Sequence, residues 1–120
     1  MFTKKIGDWG EKIALRFLLS KKWRLVARNW RCHQMGEIDL IMKKNRQLLF
    51  AEVKTRTGDT FGAGIDFVDN NKLDKMTATA EEFLLKSPRY HNYSWRLDAI
   101  EIKPLRSRRR AIISWYKNIS

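Results

Sequence analysis

Gly36-Glu37-Ile38-Asp39-Leu40-Ile41, then Lys43-Lys44-Asn45-Arg46-Gln47, then Leu48-Leu49-Phe50-Ala51-Glu52-Val53-Lys54: two runs rich in aliphatic residues stand on either side of a polar break. Residues of that kind suit a pleated, half-buried surface, and the polar break suits a turn, so the stretch predicts a β-hairpin. A two-residue loop at Asn45-Arg46, with Asn free to take a positive φ, pairs Lys44 with Gln47 and, counting back along both strands, Asp39 with Glu52. Alternation sets Phe50, Glu52 and Lys54 on one face, with Glu37, Asp39 and Ile41 on the matching face of the partner strand. Opposed like charges on a sheet cost roughly a few tenths to 1 kcal/mol in water and more once desolvated. A compensating cation is therefore expected.

A hard divalent ion, Mg²⁺ or Mn²⁺, suits the pair, because Mg²⁺ takes one or two carboxylates and keeps several waters. Lys54, one strand repeat beyond Glu52, would set an ammonium beside such an ion or a phosphate oxygen. The plain alternative is a solvated edge hairpin, since Asp-x₁₂-Glu-x-Lys as a bare pattern is common. Against it, Ile38, Leu40 and Ile41 surround one acid and Leu49, Ala51 and Val53 the other, which argues for central strands.

Upstream, Trp9, Ile13, Ala14, Phe17 and Leu18 recur at helical spacing and predict an amphipathic helix from about Asp8 to Ser20. Glu11 then stands where a capping-box acid would sit, three residues after Asp8, yet it shares a side with Ala14, Leu15 and Leu18 and so can also face inward. Trp23 to Asn29 reads as a strand and Trp30 to Met35 as a loop feeding the Asp39 strand. Arg28 and Arg31 flank that loop, where they would either hold phosphates or face solvent.

Downstream, Thr55 to Gly64 reads as a glycine-containing loop next to the acids, a usual place for binding groups. Within it Arg56, at the strand exit, has the fork to clamp a phosphate. Leu73, Met76, Ala80, Phe83 and Leu84 form the apolar stripe of a second helix, about Asn71 to Lys86. Lys72 and Lys75 lie in its first turns, where cations oppose the helix dipole and suggest an anion nearby. Trp95 to Ile102 predicts another strand, with Asp98 a structural partner for Arg96 or another arginine. From Lys103 through Arg106, Arg108, Arg109 and Arg110 runs a basic arm leading to a last strand, Ala111 to Tyr116. Such an arm suits phosphate contacts without sequence readout.

The chain of 120 residues makes one domain, 1–120, which buries about two-thirds of its unfolded surface. Lys and Arg number 25 against 13 acids, a net charge of +12 that calls for a polyanionic partner, nucleic acid first. No run is long and apolar enough to span a membrane, no signal-peptide core follows Met1 to Ile6, and no amphipathic basic helix with a large apolar face is visible, so a cytoplasmic protein with no membrane partner is expected. Cys32 is the one cysteine; with only His33 and His91 besides, it makes no zinc set and no disulfide.

With Glu11 in an early helix, Asp39 close after Gly36, and Glu52-Val53-Lys54 on the next strand, the chain resembles the PD-(D/E)XK nuclease superfamily. More closely it resembles the YraN family, UPF0102, through Gly7-Asp8-Trp9-Gly10-Glu11, Ala27-Arg28-Asn29-Trp30-Arg31, Gly36-Glu37-Ile38-Asp39-Leu40-Ile41, Phe50-Ala51-Glu52-Val53-Lys54-Thr55-Arg56, Gly62, Val68, Lys72 and Arg96-Leu97-Asp98-Ala99-Ile100. The resemblance implies an α/β fold with a restriction-endonuclease-like core, a mixed β-sheet flanked by helices, similar to archaeal Holliday junction resolvases. It implies Asp39 and Glu52 as metal ligands, the Val53 carbonyl beside them, Glu11 as a further ligand and Lys54 as the catalytic lysine.

The function expected is Mg²⁺-dependent (or Mn²⁺-dependent) endonuclease action on DNA. With no base-reading module visible, shape selection of branched DNA such as Holliday junctions is expected, and a homodimer would supply two symmetric cuts. Arg28, Arg31, Arg56, Lys72 and the arginine arm would bind the phosphates. The chief alternative is a nucleic-acid-binding protein that retains the fold without catalysis; an RNA-cleaving relative stands behind it.

Overall fold

The computed structural model describes residues 2–32, 36–57, 67–105 and 109–120. Helix α1 (Phe2–Ser20) leads into β1 (Arg24–Cys32), β2 (Gly36–Lys44) and β3 (Gln47–Thr55); α2 (Asn70–Leu85) and a 3₁₀ turn (Pro88–Tyr90) carry the chain to β4 (Ser94–Pro104) and β5 (Ala111–Tyr116). The strands form one five-stranded sheet in the order β1-β2-β3-β4-β5. Only β3 and β4 are parallel, with α2 as their crossover; the other pairs are antiparallel. The α/β fold with a mixed sheet flanked by helices is thus present.

The two helices cover opposite faces. Leu40, Met42, Leu49, Ala51, Ile100 and Ile102 pack with Ala14 and Leu18 of α1. Ile41, Leu48, Phe50 and Leu97 pack with Met76, Ala80 and Phe83 of α2. Leu48, Leu49, Phe50 and Ala51 are all fully buried, the continuous apolar run expected of a central strand covered on both faces.

Several boundaries differ from those read in the sequence. Helix α1 starts at Phe2 rather than near Asp8, because Ile6 extends the stripe of Trp9, Ile13 and Phe17 and nothing upstream breaks it. Asp8 is therefore no cap, and Glu11 sits in mid-helix rather than in a capping box. Strand β1 runs on through Trp30, Arg31 and Cys32, which pair with Ile38, Glu37 and Gly36, where a loop was expected. Asn29, at φ 50°, lets the strand continue by turning locally in the left-handed region, which Asn tolerates better than most residues. Helix α2 begins one residue earlier than expected, capped by Asp69, whose carboxylate accepts the Lys72 N–H at 2.8 Å. The glycine-containing segment 58–64 and Arg106 and Arg108 lie outside the described residues.

Gly10 locks α1 to the sheet. A Cβ there would fall 1.7 Å from Thr55 Oγ1 on β3. Ala raises intrinsic helix propensity by about 1 kcal/mol over Gly. Gly10→Ala is nevertheless expected to lower stability by about 1–3 kcal/mol, because the helix must lift from its seat. A fall in the urea midpoint at unchanged slope would show it.

A buried polar knot joins β4 to the C-terminal segment. Asp98, fully buried, accepts from Arg96 Nε at 3.0 Å and Nη2 at 3.1 Å, from Trp115 Nε1 at 2.7 Å and from the Asn118 N–H at 2.9 Å. The Arg96 guanidinium also lies over the Trp23 and Trp115 rings, 5.3 and 5.8 Å from their centroids. The structural partnership expected for Asp98 and Arg96 is present.

Candidate metal centre

The β2–β3 turn sets the geometry of the site. Lys44 pairs with Gln47 across a two-residue turn at Asn45-Arg46, with Asn45 at φ 56°, and the ladder continues to Leu40 opposite Ala51. At the following step the side chain of Asp39, not a backbone carbonyl, accepts the Val53 N–H at 2.8 Å. Strict alternation fails beside it, since Ile38 and Ile41, three residues apart, both join the core against α2. The cause is local: Asp39 takes a ladder position with its carboxylate, and Asn29 on the neighbouring strand is in the left-handed region.

Glu52 lies on the α2 side with Phe50, where Lys72 meets it, Nζ to Oε2 3.1 Å. The Asp39 and Glu52 carboxyl groups are close enough to share a hydrogen bond. Burial pushes Asp39 up to about 8, reinforced by Glu52 and more weakly by Glu11 and Glu37, against the Val53 N–H that favours the charged form. Burial also raises Glu52, which the Lys72 ammonium opposes. Burial and mutual repulsion thus both oppose full ionisation of the pair. A divalent cation would satisfy both carboxylates, and the donor set of two hard oxygens with room for water fits Mg²⁺ or Mn²⁺.

Glu11 accepts from Asn29 Nδ2 at 3.0 Å, and among the described residues no group of three or more His, Cys, Asp or Glu side chains stands ready to hold an ion. Glu11 thus bears on Asp39 through its charge, with one carboxylate oxygen, Oε1, engaged by Asn29. Lys54 is exposed and has no carboxylate partner among the described residues. Arg28 is exposed on β1; Arg31 pairs at 3.3 Å with Glu37 on the surface, a contact worth at most about 1 kcal/mol. Arg56, expected at a phosphate, is largely buried in an ion pair with Glu101. Arg109 and Arg110 are exposed at the start of β5.

Two functional features escaped the sequence reading. The anion implied by Lys72 early in α2 is Glu52 itself, which the crossover brings over the β3 end. Asn29 is the support of Glu11, and its signal was an Asn inside a strand-like run, a residue type that tolerates positive φ.

The family described as "Uncharacterised protein family UPF0102" matches residues 10–102, from α1 to β4, taking in Glu11, Asp39, Glu52, Lys54 and Lys72 but not the arginine arm. A UPF0102 protein of Roseiflexus castenholzii is 38% identical over 98 residues, 82% of this chain and 78% of that protein. One of Caldanaerobacter subterraneus is 38% identical over 99 residues, 82% and 80% of the two chains. One of Acinetobacter baumannii is 34% identical over 100 residues, 83% and 74%. With that match and that coverage, the chain belongs to the UPF0102 family.

Proposed function

We propose that this protein is a metal-dependent endonuclease that hydrolyses phosphodiester bonds in DNA and selects branched DNA, such as Holliday junctions, by shape. One observation carries the reading: Asp39 and Glu52 stand side by side, half-buried, on the two central strands β2 and β3, where burial and mutual repulsion raise both carboxyl groups above their ordinary range. Asp39 and Glu52 would hold Mg²⁺ or Mn²⁺, with Glu11 adding charge from α1. When bound, such an ion lowers the pKa of a water and neutralises charge developing on the phosphate. The Val53 N–H fixes the Asp39 carboxylate. Lys54, exposed and without a carboxylate partner among the described residues, orients the attacking water or meets the leaving oxygen. Arg28, Arg31 and the arm arginines Arg106, Arg108, Arg109 and Arg110 would grip the flanking phosphates, aided by the net charge of +12, whereas Lys103, whose ammonium is buried in β4, takes no part.

No described helix is long and apolar enough to cross a membrane. A cytoplasmic enzyme of DNA recombination or repair, acting as a homodimer on paired strands, is the form this proposal takes. The test is cleavage of four-way, flap and duplex DNA in Mg²⁺ by the wild type and Glu52→Gln. The expected result is metal-dependent nicking, strongest on the four-way substrate and lost in the variant. No nicking of any of them by folded wild type overturns the proposal.

One observation favours a second reading, a nucleic-acid-binding protein without catalysis: Lys72 already neutralises Glu52 at 3.1 Å. Lys72 is only half-buried, however, and free to swing to a phosphate. Under the nuclease reading, Lys72→Met removes a cation that competes with the metal, so Mn²⁺ binding followed by paramagnetic resonance should tighten by about fivefold, or about 1 kcal/mol. Under the second reading neither protein binds Mn²⁺ saturably.

A further inference from the structure

The geometry points to a second phosphate-binding site at the far end of β2, one that holds the nucleic-acid strand flanking the cut. A cavity of about 370 Å³ is lined there by Lys22, Arg24, Lys43, Lys44, Asn45 and Tyr93. Four cations share it, and among the described residues no acid lines it. Among the described residues none of the four pairs with a carboxylate, although the other basic side chains around the sheet include Arg31, Arg56, Lys72 and Arg96, all ion-paired. Arg24 lies directly opposite Lys43 across β1 and β2, an arrangement of like charges that a sheet disfavours unless an anion bridges them.

The cavity is also built rather than merely charged. Lys44 Nζ donates to the Lys21 carbonyl at 3.0 Å and lies 6.0 Å from the Trp23 ring centroid, which pins its stem. Lys22 at φ 76° and Asn45 at φ 56° hold the two turns that bound the recess in left-handed backbone. Asn45 and Tyr93 add neutral hydrogen-bonding groups of the kind that meet phosphate oxygens. Along β2 the cavity lies five residues from Asp39, roughly 16 Å at about 3.3 Å per residue. At about 3.4 Å per nucleotide step, that span is roughly five steps of a duplex strand. A nucleic-acid strand that passes the acids covers that distance within about five nucleotides. This inference rests on the nucleic-acid reading of the partner but not on catalysis.

The test is fluorescence anisotropy of a labelled four-way junction bound by the full chain in EDTA, over a range of salt. Lys22→Gln/Arg24→Gln/Lys43→Gln spares Lys44 with its backbone anchor. A control, Lys5→Gln/Lys12→Gln/Arg16→Gln, removes the same charge from the outer side of α1. The slope of log K against log[salt] should fall by about 2–3 in the cavity variant, at about 0.7–0.9 per lost phosphate contact, and affinity by more than about tenfold. The control should lose less than a third of either. Arg24→Gln alone, which leaves the Lys22 turn intact, should lower the slope by about 1. Equal losses in the cavity and control variants overturn the proposal, as does an unchanged slope. Wild type that binds in EDTA but never nicks DNA in Mg²⁺ would instead defeat the nuclease reading and leave the cavity assignment standing.

Discussion

Asp39→Asn should abolish Mg²⁺-dependent cleavage and, in the same molecule, raise the metal-free melting temperature at pH 8. The variant keeps the shape and keeps an oxygen for the Val53 N–H, so the local fold is retained. What it loses is a ligand charge, and cleavage should fall by roughly 10³-fold or more. The gain in stability follows from the proton balance. Burial and Glu52 raise the Asp39 pKa from 3.8 to about 8, so between those values the folded chain binds more protons than the unfolded one. Stability from this group is whole below about pH 4 and declines as pH rises to about 8, where the charged carboxylate is held next to Glu52 at full cost. Asn does not titrate. Its advantage should be near nil at pH 4 and on the order of 1–3 kcal/mol at pH 8, about 3–10 °C in a domain of this size. Melting curves across pH in EDTA and one cleavage assay measure both halves; a variant no more stable than wild type at pH 8 would mean that the two acids do not strain the metal-free fold.

Asp98→Ala should be the most damaging single change to the fold. Asp98 is fully buried and accepts from Arg96, Trp115 and Asn118 together, so its removal leaves a largely buried guanidinium, an indole N–H and a backbone N–H unpaired. Stranding one member of a buried charge pair costs about 3–5 kcal/mol, and the lost neutral bonds add to it. The melting temperature should drop by about 10–20 °C. Because Trp115 and Asn118 tie β5 and the C-terminal segment to β4, that end of the sheet should lose amide protection first. Asp98→Asn, which keeps shape and some accepting power, should fall between. Urea unfolding of the two variants orders them, and a cost below about 1 kcal/mol for Ala would mean that the knot holds nothing.

The hairpin around Asn45-Arg46 was readable because its turn chemistry and its two apolar runs point to one register, and that register is found. Helix α2 was readable from its stripe, and its Met76, Ala80 and Phe83 are buried as expected. The start of α1 was not, because Asp8 offers a plausible cap while the continuing stripe through Ile6 is the weaker signal. The extension of β1 past Asn29 escaped for a related reason: a turn-prone residue inside a strand looks like its end. At the site, the approach of Asp39 to Glu52 followed from counting, but the side-chain capture of the Val53 N–H and the arrival of Lys72 from α2 did not. Both depend on the crossover and the peeling of one strand from another, which no local pattern encodes. Arg56 was expected at a phosphate because Glu101, its partner, lies 45 residues along the chain.

The most direct measurement is anomalous scattering from a crystal soaked in Mn²⁺. A peak is expected between the Asp39 and Glu52 carboxylates, about 2.0–2.2 Å from an oxygen of each, with the Lys72 ammonium withdrawn from Glu52. A well-ordered site in which Lys72 still grips Glu52 and no peak stands between the acids would contradict the metal assignment.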